Sequence, residues 1–226
     1  MSAIAERYGR VLRQVADAAD LAGRDPAEIT VVAVTKTVGL PEIGQAIAAG
    51  MHDFGENRAL EFTGKQALFP DERWHFIGTL QTNKVKQVTG RAALIHSVDS
   101  PHLLEAVDRR SAESGVVQPV LLQVNVSGEG SKHGMTFEEA EDAVRGAGVQ
   151  PNVLIRGLMT MAPLSARPES ARWVFRECAD WMGRLQSMHC DAVDLVELSM
   201  GMSGDFRVAI EEGATIVRVG RAIFGR

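Results

Sequence analysis

The sequence predicts an α/β protein, a single (β/α)8 TIM barrel with one extra helix in front of it. Three observations carry that expectation. Across 226 residues, eight short apolar runs alternate with stretches of helical periodicity, the pattern of parallel strands joined by crossover helices. Most of the apolar runs lack polar alternation, which fits strands buried on both faces. No Pro/Ser-rich linker or shift of composition divides the chain, so residues 1–226 read as one domain of a size typical for an undivided barrel. An open doubly wound sheet is the alternative, but the Gly-x-Gly-x-x-Gly turn expected after its first strand is missing.

Each element has its own signal. Ile4, Tyr8, Val11, Leu12, Val15 and Ala19 recur at helical spacing over 3–22, and Gly23 and Pro26 stop that helix. Residues 30–36, Thr-Val-Val-Ala-Val-Thr-Lys, form the first strand and end on Lys36. Pro41 opens a helix that Gly50 closes. Strands follow at 51–55, 74–78, 94–98, 117–126, 153–158, 193–198 and 216–219. Helical sequence begins at 56–58 and recurs at 81–90, 101–111, 137–147, 169–188 and 203–212, with a final turn at 221–224.

The net charge of −5, with no Lys/Arg run, gives no footprint for nucleic acid or an anionic membrane. No apolar run approaches a bilayer span, and residues 1–7 carry early charges and lack the apolar core of a signal peptide. Cys178 and Cys190 form no metal-ligand cluster and suit a reducing compartment. These features predict a soluble, cytoplasmic protein without a metal site.

In a barrel of this class, functional groups gather at the C-terminal ends of the strands. Lys36 ends the first strand, where desolvation by apolar neighbours would make its amine a better nucleophile toward carbonyls. The bland reading is a snorkelling strand-end lysine in a barrel that binds no cofactor. Ser199-Met200-Gly201-Met202-Ser203 after the seventh strand and Gly220-Arg221 after the eighth offer small residues, hydroxyls and free amides to an anion. Arg218 interrupts the last strand, where it either points inward to an acceptor or outward to Glu211 or Glu212. A nucleophilic lysine, a phosphate cup and an arginine together describe a pyridoxal 5′-phosphate (PLP) site, with the cofactor held as a Schiff base on Lys36 and its ring nitrogen at Arg218. An arginine there disfavours ring protonation and weakens the ring as an electron sink.

Several segments, in order, carry a family resemblance: Ala33-Val34-Thr35-Lys36, Phe54-Gly55-Glu56-Asn57, Trp74-His75-Phe76-Ile77-Gly78, Leu80-Gln81-Thr82-Asn83-Lys84, Arg156-Gly157-Leu158-Met159, Leu198-Ser199-Met200-Gly201-Met202-Ser203 and Val217-Arg218-Val219-Gly220. Together they resemble the single-domain PLP homeostasis proteins (the YggS/PROSC family), whose barrel is like the N-terminal domain of alanine racemase. The resemblance implies PLP on Lys36 and phosphate contacts from Ser199, Gly201, Ser203, Gly220 and Arg221. It implies Arg218 at the ring nitrogen, Asn57 and His75 around the ring, and Met200 packed nearby. Arg58 and Thr79 depart from the commonest family pattern, and Lys132 matches a lysine-bearing loop that is a candidate second aldehyde acceptor. The implied function is non-catalytic: PLP is bound, buffered and delivered, with PLP-dependent apo-enzymes as recipients. The alternative is an alanine racemase-type enzyme. Two-base racemisation needs a second acid/base, typically a tyrosine, but the one tyrosine is Tyr8, leaving His75 or His96 as substitutes. Without a partner domain, a monomer is expected.

Overall fold

The computed structural model describes residues 2–128, 133–163 and 167–225. Eight parallel strands close into a barrel in chain order. They are β1 (Thr30–Val34), β2 (Asp53–Glu56), β3 (Arg73–Phe76), β4 (Leu94–Val98), β5 (Gln118–Gln123), β6 (Val153–Met159), β7 (Glu197–Met202) and β8 (Ile216–Val219). The outer helices are α1 (Ala3–Leu21), α2 (Leu40–Ala48), α3 (Ala59–Leu68), α4 (Val85–Val88), α5 (Pro101–Ser114), α6 (Phe137–Arg145), α7 (Arg172–Gln186), α8 (Phe206–Glu211) and α9 (Arg221–Phe224). β1 pairs with β8 through Thr30–Ile216 to Ala33–Val219, which closes the cylinder.

The expected elements all appear, with local differences. β1 stops at Val34, and Lys36 sits in the turn that follows. The largest shift is at the seventh strand, expected at 193–198 and found at Glu197–Met202. The apolar run before it still pairs with its neighbour, because Asp194 N–H donates to Ile155 O and Val196 N–H to Arg156 O, both at 2.9 Å. The ladder proper then continues through the Ser-Met-Gly-Met segment. The helix expected over 203–212 starts only at Phe206.

Alternation along the strands sorts the core into two layers. Outward residues such as Ile95, Val98, Val217 and Val219 join the main core between sheet and helices. Inward residues Val32, Leu94, Leu121, Met159 and Ile216 make a small apolar plug inside the barrel. The remaining inward positions include polar residues, and these are the ones that bear on function. Among the described residues, no helix is long and apolar enough to cross a membrane. Nor does any group of three or more His, Cys, Asp or Glu come together to hold a metal ion.

Candidate functional site

A cleft of about 320 Å³ opens at the C-terminal ends of β6, β7, β8 and β1. Lys36, Ser203, Gly204, Asp205, Arg218, Gly220 and Arg221 line it, with Val34 below and the segment after β6 on one side. Five predicted residues therefore meet: Lys36, Ser203, Arg218, Gly220 and Arg221.

Lys36 is exposed, so the expected desolvation by apolar neighbours is not found. The reason is the early end of β1. Thr35 is the last buried residue (0% exposed), and the chain turns immediately after it. Val38 N–H donates to Thr35 O at 2.9 Å, which places Lys36 and Thr37 at the corner of a tight turn.

Arg218 resolves the choice left open by the sequence. It points into the barrel, 4% exposed, and donates to Ser199 Oγ at 2.5 Å and to Thr160 O at 3.0 Å. Burial lowers its pKa to about 10, opposed by the negative charge of Asp205, so it remains a cation at neutral pH. Glu211 and Glu212 are taken instead by Arg172 and Arg176. Arg156, also a strand residue of interest, faces outward and pairs with Asp194 and Glu197.

The contact between Arg218 and Ser199 starts a polar chain across the barrel. Arginine can only donate, so the Ser199 hydroxyl accepts from it, and the same oxygen lies 2.8 Å from His96 Nδ1. His96 Nε2 faces His75 Nδ1 at 2.9 Å. His75 in turn donates from Nε2 to Asp53 Oδ1 at 3.1 Å. Asp53 ends the chain as a carboxylate, ion-paired with Arg73. Burial favours its neutral form, but the hydrogen bonds from His75 and Arg73 win and hold its pKa at about 2. The pKa of His96 lies well below its ordinary range, chiefly because of burial, with the nearby Arg218 cation adding to the effect.

The other predicted residues lie outside the cleft. Ser199 is fully buried and engaged by Arg218 and His96, so it orients the arginine and does not face the cleft. Met200 packs into the outer core. Gly201 lies within β7 at φ +90°, and a Cβ there would come within 2.6 Å of Ala209 Cβ; glycine lets α8 sit against the strand. His75 is inside the barrel, 6% exposed. Asn57 lines a separate cavity of about 280 Å³ with Phe76, Thr79 and Lys84, and Arg58 lies on its wall. Lys132 lies outside the described residues.

At the anion side, Ser203 Oγ accepts from Ala222 N–H at 3.4 Å, tying the loop after β7 to α9. Asp205 Oδ1 accepts from Met202 N–H at 2.6 Å and occupies the start of α8. That carboxylate and the shortness of α8 remove most of the expected helix-dipole contribution. The basic side chains lining the cleft are Lys36, Arg167, Arg218 and Arg221. Gly204, with no atom within 4 Å of an added Cβ, faces open space.

Sequence reasoning missed Glu56, Lys65 and Asp53. Lys65 falls on the inward stripe of α3 with Ala59 and Phe62, so a charge on an apolar face was the available signal.

The barrel and its lysine-bearing mouth define a class before any closer relative is considered. Residues 9–226 match the family described as alanine racemase, N-terminal domain. Within that class, the chain belongs to the pyridoxal phosphate homeostasis proteins. It is 42% identical to the one from Aquifex aeolicus over 222 residues, covering 97% of this chain and 96% of that protein. It is 39% identical to the one from Pseudomonas aeruginosa over 228 residues, covering 100% and 96%. PipY of Synechococcus elongatus, solved with PLP bound, superposes with a TM-score of 0.84 at 36% identity, covering 98% of this chain and 100% of that one. Alanine racemase from Streptomyces coelicolor shares the fold at 18% identity and TM-score 0.71, with this chain spanning 56% of its length.

Proposed function

We propose that this protein binds PLP at the cleft, holds it covalently on Lys36, and serves intracellular PLP homeostasis without catalysing a reaction of its own. The observation that carries the reading is the convergence of an exposed lysine, a buried arginine and small or hydroxyl residues on one cleft. That donor set fits the cofactor. When bound, PLP would supply an aldehyde with which the Lys36 amine would condense, the carbonyl oxygen leaving as water.

The chain's own residues do the rest. Ser203, Gly204, Gly220 and Arg221 form the phosphate side. Arg218 presents its remaining N–H groups to the ring nitrogen; as a pure donor that stays charged, it favours the unprotonated ring. Its position is held by Ser199 and Thr160 O. The racemase alternative lacks a second base. Tyr8 senses the charge of Asp53, at the N-terminal end of β2 and so at the opposite end of the barrel from Lys36. His75 and His96 are committed to the internal chain. Among the described residues, neither tyrosine nor histidine lines the cleft.

We further infer that the protein works as a cytoplasmic monomer and passes PLP to apo-enzymes. The deciding experiment is borohydride reduction of protein incubated with PLP, followed by mass mapping. One adduct on Lys36 is expected, absent in Lys36→Ala with circular dichroism unchanged. An adduct elsewhere, or none, overturns the reading. Stereoinversion of alanine that depends on Lys36 would instead establish the racemase.

A further inference from the structure

Behind Lys36 lies a buried ion pair that the cleft does not contain. Glu56, at the end of β2, is 0% exposed, and Lys65, on α3, is 9% exposed. Lys65 Nζ donates to Glu56 Oε1 at 2.5 Å and to Thr35 O at 2.8 Å. Thr35 Oγ1 donates to the same Glu56 Oε1 at 2.8 Å, and Asn57 N–H donates to Oε2 at 3.1 Å. Both partners are thus satisfied, and three of these four bonds converge on Thr35 or on the carboxylate oxygen it shares.

Buried ion pairs contribute little net stability, because desolvation cancels most of the attraction; apolar replacements of similar volume do as well or better. This pair therefore calls for a role other than stability, and its position indicates one. Thr35 immediately precedes Lys36. Its carbonyl takes a proton from Lys65 on one side and from Val38 N–H on the other, and its own N–H donates to Gly55 O. The turn it anchors is strained. Thr37 has φ +62° while Lys36 stays at negative φ, the type II pattern whose third position favours glycine. A β-branched residue in that conformation persists only where its surroundings over-determine it.

We propose that Glu56 and Lys65 are positioning residues for Lys36: they clamp the Thr35 peptide, hold the strained turn, and so aim the Lys36 amine into the cleft. The inference rests on the PLP reading above. It predicts that the pair matters for covalent capture and not for the phosphate side, which β7 and β8 build.

The test compares two ligands. PLP carries the aldehyde; pyridoxine 5′-phosphate carries the same phosphate and ring with an alcohol in its place. In Lys65→Met, and in the charge-neutral Glu56→Gln/Lys65→Met variant that keeps the test open should the single change unfold, PLP affinity should fall at least tenfold. The borohydride-fixed adduct on Lys36 should form correspondingly more slowly. Affinity for pyridoxine 5′-phosphate should stay within twofold. Thr37→Gly, which relieves the turn, should recover part of the loss. Folded variants that capture PLP as wild type does, or that lose both ligands equally, overturn the clamp alone. A wild-type protein with no Lys36 adduct overturns the proposed function and the clamp with it.

Discussion

Arg218 shows how one residue sets the chemistry around it. It donates to Ser199, whose oxygen also meets His96, and so joins the cleft to the polar chain inside the barrel. Ser199→Ala leaves the arginine without one acceptor and His96 Nδ1 without its partner. The expected loss is about 1–3 kcal/mol for a buried hydrogen bond to a charged group, read as a lower urea midpoint. At the thiols, burial raises the pKa of Cys178 to about 12, whereas Cys190 is only half-buried. A thiol reagent at pH 8 should label one site in the native protein, Cys190, and two after denaturation. Labelling of Cys178 in the native state would contradict its burial. About half of the expected site residues were legible as cleft residues, since glycine, serine and a lone strand arginine are conspicuous, whereas Ser199, Met200, Gly201, Asn57 and His75 lie elsewhere. Their neighbours were not: Lys65 donates to the Thr35 carbonyl and Glu56 accepts from the Thr35 hydroxyl, both distant in sequence, and no local pattern reveals that partner.

The elements around the mouth depend on contacts between them. Arg172 of α7 bridges Glu169 of the preceding 3-10 turn and Glu211 and Glu212 at the end of α8. This strap joins the segment flanking the cleft to the helix that follows the anion loop. Arg172→Ala should cost about 1 kcal/mol at low salt, less at high salt, as expected for a partly exposed network. Gly78 has a stricter constraint, because a Cβ there would meet Asn57 O at 2.2 Å. Gly78→Ala should therefore destabilise by about 2–3 kcal/mol, visible as a lower melting temperature. The strands were legible because apolar runs mark them. The seventh was read four residues early because Val193–Leu198 is more strand-like in composition than the Ser-Met-Gly-Met run that forms the ladder. Small residues are used there because α8 packs closely on the strand, a tertiary demand that looks like a loop signal.

For the whole molecule, the internal chain predicts how stability responds to acid. His96 has a folded pKa far below its unfolded value, so below about pH 6.5 the unfolded state takes a proton the folded state refuses, and stability falls as pH falls. Asp53, with a folded pKa of about 2, stabilises the fold above its unfolded pKa near 3.8, and that contribution is lost as pH falls from about 4 to 2. Urea midpoints measured across pH should flatten between 6.5 and 4 in His96→Gln and below 4 in Asp53→Asn. An unchanged slope in either variant would show that the group titrates as it does in the unfolded chain. Barrel closure itself was predictable from eight alternating units, but a polar chain running through its interior was not, because strand sequences do not announce which inward residues will face one another across the cylinder.

Closure between β1 and β8 also has a consequence during synthesis. Lys36 is made well before Arg218, Gly220 and Arg221. Arg7 of α1 meanwhile waits for the carbonyls of Ile223 and Phe224, to which it donates at 2.6 and 3.4 Å. A nascent or prematurely terminated chain that lacks β8 carries Lys36 without the cleft beside it. The cleft is therefore complete only once translation has passed the eighth strand.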